Sequence, residues 1–138
     1  MRFAIFSDVH ANLEALEAVL ADANENKCTH FVCLGDVVGY NANPHECVER
    51  IREMDCPIVK GNHDEQASLF ESSRDFNEMA EAAIQWTRDN LTDADKEWLR
   101  ALYDEGERER LPTLIRRLKV LEEKPAIPPE QRIPDRTN

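Results

Sequence analysis

The sequence lacks the features that mark secreted, membrane-bound and nucleic-acid-binding proteins. It has no apolar run long enough for a secretory signal or a membrane span, and its four cysteines include no pair at CxxC spacing. The 17 basic residues are outnumbered by 28 acidic ones, and the net charge of −11 argues against a general nucleic-acid-binding surface. We therefore expect a cytoplasmic protein with reduced thiols, no membrane contact and no general affinity for nucleic acid.

The cysteines leave one alternative to weigh, a zinc site. Its ligands would be His30, Cys33, His45 and Cys47. Their spacing fits no standard zinc pattern, and Cys33 is better explained as a small apolar residue of a strand.

The apolar pattern of the first 60 residues predicts an α/β fold. Three short apolar runs predict strands, over residues 2–7, 29–34 and 57–60. Between them, apolar residues at helical spacing predict helices over residues 11–26 and 44–54. Asn12 lies where its side chain could cap the first helix, and Pro44 suits the first turn of the second. The β-α-β-α-β order implies a parallel sheet with right-handed crossovers.

The remainder of the chain has a different pattern. Helical spacing predicts a helix over residues 76–91 and another from Thr92 to about residue 103, with Asp95 as a capping partner. Residues 125–138 hold four of the seven prolines and no periodicity, so we expect a disordered tail. Residues 1–105 are thus the α/β unit with its following helices, and residues 106–124, with an apolar stripe, form a separate amphipathic helix.

Polar clusters follow each of the three predicted strands. Asp8 and His10 follow the first, Asp36 follows the second, and Asn62 and His63 follow the third. Because the carboxyl ends of parallel strands meet at one edge of a sheet, we expect these side chains to lie together. Two carboxylates, two imidazoles and an amide oxygen would then share one place.

This donor set suits a divalent metal. Asp8 and His10 are two residues apart, so an extended backbone can point both side chains the same way. Mixed carboxylate, imidazole and amide ligands favour manganese, iron, nickel, zinc or magnesium over ions that prefer thiolates. Asp36 could equally be a turn residue, and Asn62 or Asp64 a helix cap. Three clusters at successive strand ends are nevertheless hard to explain as turns.

Three motifs resemble those of the calcineurin-like metallophosphoesterase superfamily, most closely its small bacterial phosphodiesterase branch. They are Asp8-Val9-His10-Ala11-Asn12, Gly35-Asp36-Val37-Val38-Gly39-Tyr40 and Gly61-Asn62-His63-Asp64. The resemblance runs from residue 1 to about residue 102. Ala11 stands where that branch often has glycine. Val38 and Gly39 replace the Asp-Arg of the protein Ser/Thr phosphatases, so we do not expect a protein-phosphatase role.

The resemblance implies a fold and a reaction. The β-α-β-α-β sheet would be the first half of a metallophosphoesterase sandwich. Asp8, His10 and Asp36 would hold one divalent ion, and Asp36 and Asn62 would hold a second, with Asp36 bridging. His63 would contact the phosphate and assist the leaving oxygen. The implied activity is the hydrolysis of phosphate mono- or diesters, with a small phosphate ester as substrate.

The family completes its site with a later histidine and a Gly-His-x-His motif. The four histidines of this sequence are His10, His30, His45 and His63, so the later ligands of the family have no counterpart in it. The expectation is therefore a truncated or frame-shifted phosphoesterase. Two alternatives stay open: a non-catalytic remnant that binds metal weakly, and a half-enzyme completed by a second polypeptide. A phosphorylated receiver domain is a remote alternative, because it normally needs paired acids after the first strand.

The strand composition also predicts an interaction surface. Strands 2–7 and 29–34 are apolar at both alternating sets of positions, which is typical of a sheet covered on both faces. The helices at 11–26 and 44–54 can cover one face. We expect the other to be left partly uncovered and to promote self-association.

Overall fold

The computed structural model describes residues 1–69 and 78–102. Strands and helices alternate through the first half and helices alone follow. The order is β1 (Phe3–Phe6), α1 (Leu13–Glu25), β2 (His30–Cys33), α2 (Pro44–Glu53), α3 (Asn62–Ser68), α4 (Glu78–Asp89) and α5 (Asp93–Arg100). The predicted α/β class is confirmed. The predicted amphipathic helix at 106–124 and the tail at 125–138 lie outside the described residues, and the division into these segments stays a prediction.

The sheet is parallel, as the alternation of elements predicts. β1 pairs with β2 in a register that sets Phe3 opposite His30 and Phe6 opposite Cys33. The strand predicted over residues 57–60 is reduced to isolated bridge residues at Ile58 and Val59, and Ile58 is bridged to Cys33 of β2. Pro57 has no N–H to donate, and the chain turns away at Gly61, so this segment is too short to extend the ladder. A third chain segment still lies beside β2.

The predicted helix caps are present. The Asn12 side-chain oxygen accepts a hydrogen bond from the Ala15 N–H at 3.0 Å. Thr92 and Asp95 form a reciprocal capping box, in which Asp95 Oδ2 accepts from the Thr92 N–H at 2.9 Å. The seven-residue α3 is not among the predicted elements, since it is short and largely polar.

The core lies between one face of the sheet and the helices. Phe6, Phe31 and Cys33 point towards it from the strands, and Leu20 and Ile51 from α1 and α2. Buried residues of α3 and α5 extend the same cluster. Burial also raises the pKa of the Cys33 thiol to about 12, which fits a structural residue and not a reactive one.

The opposite face of the sheet is exposed in part among the described residues, although His30, which lies on it beside Phe3, is buried. Phe3 and Ile5 lie on it, and Ile5 is 64% exposed. Leu34, which follows β2, is 50% exposed. Within the described ranges, none of the helices has the length and apolar character that crossing a membrane requires.

Candidate metal centre

The loops after β1 and β2 run side by side because their strands are paired. Backbone hydrogen bonds in both directions join them, and three of these bonds lie next to the polar residues. The N–H groups of Asp8, His10 and Ala11 donate to the carbonyl oxygens of Gly35, Asp36 and Val37, at 3.1, 2.9 and 2.9 Å. The strand ends thus bring Asp8, His10 and Asp36 to one edge, as the sequence predicts.

Asp8, His10 and Asp36 form a compact donor group. One ligand atom from each lies within 4.8 Å of the others. His10 Nδ1 lies 3.2 Å from the carbonyl oxygen of Val38, which can only accept, so Nδ1 carries the proton. The lone pair is therefore on Nε2, which lies 3.6 Å from Asp8 Oδ1. An imidazole oriented in this way by a backbone carbonyl is typical of a metal ligand.

His63 reaches the same place from the first turn of α3, in which it directly follows Asn62. The His63 N–H donates to Asp36 Oδ1 at 3.0 Å, and the His63 ring centroid lies 4.9 Å from that of His10. Asn62 is exposed and stands between His63 and Gly61, which packs directly against Asp36. The five predicted site residues therefore belong to the loops after β1 and β2 and to the start of α3.

Burial lowers the pKa of His63, and the proximity of His10 lowers it further, although Asp36 and Asp8 act in the opposite direction. The imidazole is accordingly neutral near pH 7. A neutral ring has one N–H that can donate a hydrogen bond and one nitrogen that can accept one, which suits a group next to a phosphate ester.

The backbone of these loops is strained. Asp8, His10, Ala11, Asp36 and Tyr40 all have positive φ, between 48° and 62°. Each such non-glycine residue costs roughly 1–3 kcal/mol, and residues of this kind concentrate at functional sites. Ala11, with a φ of 58°, adopts a conformation that glycine reaches more readily, which explains the glycine common at that position of the motif.

Asp64 is a site residue for which the sequence offered only a capping role. Its carboxylate is fully buried and accepts three backbone N–H groups, from Val37 at 2.8 Å, Val38 at 3.2 Å and Gly61 at 3.0 Å. Burial raises its pKa to about 6, and the three N–H groups oppose that rise. Near pH 7 the group is ionised and can only accept, as three donors require.

Tyr40 is the second residue that sequence reasoning missed. It is 54% exposed, and its ring centroid lies 5.0 Å from that of His10 and 4.7 Å from that of His63. The only sequence signal was its place at the end of the second motif. Tyr40 therefore forms part of the rim of the centre.

The alternative zinc site is not formed. His45 Nδ1 is hydrogen-bonded to Asp95 at 2.8 Å, and Cys33 and Cys47 are buried as free thiols. Among the residues that the structure describes, Asp8, His10 and Asp36 are the one cluster of three or more such groups that could hold a metal.

Comparisons with known proteins find relatives of this chain. A protein of Methanocaldococcus jannaschii is 46% identical over 99 residues, which is 72% of this chain. The crystal structure of a metallophosphoesterase from Sphaerobacter thermophilus is 43% identical over 74% of this chain, with a TM-score of 0.62. This chain spans 41% of the length of each of these relatives.

The profile of the calcineurin-like phosphoesterase superfamily domain matches residues 1–119, which extends past the end of the motif resemblance. The match includes all three motif loops and the donor group that they form. The chain therefore belongs to the calcineurin-like phosphoesterase superfamily.

Proposed function

We propose that this chain carries the metal-binding half of a phosphoesterase centre that hydrolyses phosphate mono- or diesters with two divalent ions. The observation that supports this most directly is the meeting of Asp8, His10 and Asp36 donor atoms within 4.8 Å at the end of the sheet. Family membership supports phosphoester chemistry, and the donor set suits a divalent ion.

In this proposal Asp8, His10 and Asp36 hold one ion, and Asp36 and Asn62 hold the second. When bound, the ions supply an activated water and neutralise charge on the phosphoryl oxygens. Asp36 is the shared residue, and the His63 N–H bond to its Oδ1 restricts the carboxylate to one orientation. The ions are manganese, iron, nickel, zinc or magnesium.

His63 is the proposed catalytic residue of this chain. Its ring adjoins His10, and the N–H of the neutral ring can donate a hydrogen bond to a phosphoryl oxygen and so assist the leaving oxygen. The side chain of Asp8 is 66% exposed, so the centre opens to solvent and a small phosphate ester can reach it.

Metal binding without catalysis is the second candidate function. The described residues provide one group of three titratable donors, and among them only Asp36 and Asn62 are assigned to the second ion. Such a chain would bind one ion weakly without turnover of esters, because catalysis depends on holding the reacting atoms in alignment.

Calorimetric titration with Mn²⁺ tests the metal site. We expect one ion to bind detectably and a second much more weakly. Asp36→Asn should lower the affinity about tenfold or more, because this residue is shared by both positions. Asp22→Asn, an exposed change on α1, is the matched control and should have no effect. Two tight, equivalent ions, or an Asp36→Asn variant with unchanged affinity, would contradict the assignment.

Hydrolysis of bis(p-nitrophenyl) phosphate separates the two candidates. We expect slow, Mn²⁺-dependent turnover that is lost in Asp8→Ala and His63→Ala. Rapid turnover lost in both variants would exclude the non-catalytic alternative. Turnover that persists in both variants would place the reaction outside this site.

A further inference from the structure

We propose that Asp64 is a positioning residue of this centre. It sets the distance between the loop that carries Asp36 and the first turn of α3, which carries Asn62 and His63. The inference rests on the proposed function, since it concerns the same metal site. Asp64 would act through the backbone of its neighbours and would touch neither metal nor substrate.

The first argument is the distribution of its hydrogen bonds. Oδ1 accepts from the N–H groups of Val37 and Val38, directly after Asp36. Oδ2 accepts from the N–H of Gly61, directly before Asn62. One rigid carboxylate therefore joins two segments, and its bonds to the valines span 27 and 26 positions of the chain. Because each segment is hydrogen-bonded to a different oxygen, the fixed distance between the two oxygens limits the distance between the segments.

The second argument is that both the carbonyl groups and the N–H groups of the Asp36 loop are hydrogen-bonded to neighbouring segments. Its carbonyl groups accept from the N–H groups of residues 8, 10 and 11, and its N–H groups at 37 and 38 donate to Asp64. A shift of Asp64 would therefore be transmitted to the Asp8 and His10 loop as well as to Asp36.

The third argument is that the segments have no spare space between them. A Cβ added at Gly35 would lie 2.6 Å from the Gly61 nitrogen and 2.8 Å from the Val59 carbonyl oxygen. Asp64 itself is fully buried, so water cannot replace its oxygens without moving the loops. The N–H groups it accepts would become buried donors without an acceptor if the carboxylate were lost.

Asp95 is a buried aspartate that occupies the same helix position as Asp64 but has a purely structural role. It is also the third residue of its helix and also accepts the N–H of the preceding cap residue, Thr92. Its other bonds, however, are to the side chains of Thr92, His45 and Arg52, none of which belongs to the metal centre. Asp95→Asn is thus a matched control: a buried aspartate of equal position in a helix, with no loop to align.

The experiment compares wild type, Asp64→Asn and Asp95→Asn by amide hydrogen exchange and by Mn²⁺ calorimetry. The carboxamide introduced by Asp64→Asn would present an NH₂ group to a backbone N–H that needs an acceptor, with almost no change in volume. In metal-free protein, we expect Asp64→Asn to speed exchange about tenfold or more at Val37, Val38 and Gly61. Mn²⁺ affinity should fall about ten- to hundredfold. Asp95→Asn should lower stability and leave both quantities at the centre unchanged.

Amide exchange and Mn²⁺ calorimetry together distinguish a failure of this inference from a failure of the proposed function. If wild type fails to bind Mn²⁺, the proposed function is wrong, and the exchange result still decides whether Asp64 aligns the loops. If wild type binds and Asp64→Asn binds equally well, the positioning role is wrong. If Asp64→Asn does not fold, amide hydrogen exchange of the wild type tests the inference instead. The amides of Val37, Val38 and Gly61 should then show the same free energy of opening. Faster, independent exchange at Val37 and Val38 would overturn the inference.

Discussion

Replacing Gly61 by alanine would place a methyl group where the structure has room for none. The ideal Cβ would lie 2.0 Å from Asp36 Oδ1 and 2.3 Å from the Asp36 nitrogen, below the 3.0 Å that real Cβ atoms keep. Rotating the Asp36 side chain could relieve the first contact. It cannot relieve the second, because the nitrogen belongs to the backbone of the loop.

The expected change in the free energy of unfolding is the difference between two opposing effects. Gly61 has φ −80° and ψ 166°, which alanine adopts without strain, so the change alone would stabilise by about 0.4–1 kcal/mol. Overpacking costs about 1–3 kcal/mol, and the backbone contact places this case at the upper end. We expect a net loss of about 2 kcal/mol, which lowers Tm by roughly 10 °C for a domain of this size. Mn²⁺ affinity should fall as well, because Asp36 is displaced.

Thermal unfolding followed by circular dichroism, with and without Mn²⁺, measures both effects. Asn62→Ala is the neighbouring control, because Asn62 is exposed and makes no such backbone contact. It should change stability by less than about 0.5 kcal/mol and weaken only the second ion. A Gly61→Ala protein with unchanged or raised Tm would refute the close contact between the two loops.

Two further predictions concern pH and association. The Asp95 hydrogen bond raises the pKa of His45, so the charged pair stabilises the fold below the ordinary histidine pKa of 6.5. That contribution is lost as pH rises through the raised folded-state pKa. In urea unfolding, the stability difference between wild type and His45→Gln should therefore shrink from pH 6 to pH 9, and a constant difference would contradict the pairing. We also propose that a second copy covers the exposed sheet face, because β1 is an end strand of the described sheet and Ile5 is exposed on it. Light scattering and hydrophobic-dye binding should both fall in Ile5→Lys and stay unchanged in Val19→Lys, an exposed apolar residue on α1; a wild-type monomer that binds no dye would exclude it.

Much of the site was predictable because its residues sit at positions that local pattern reveals. Apolar runs located β1 and β2, and the polar residues directly after them had to share an edge once the strands were parallel. The caps at Asn12 and Thr92 were predictable for the same reason, since each involves a bond across three residues. The third strand was overestimated, because an apolar run of four residues does not show that Pro57 and Gly61 limit its pairing.

The sequence by itself determined the order of the elements, the donor types and the family, because periodicity and motif spacing are properties of neighbouring residues. Only the tertiary structure decided that Asp64 bonds Val37 and Val38, and that Tyr40 lies against His63. It also decided which face of the sheet is left exposed. These relations join residues more than twenty positions apart. They depend on how the loops pack, and no local pattern encodes that packing.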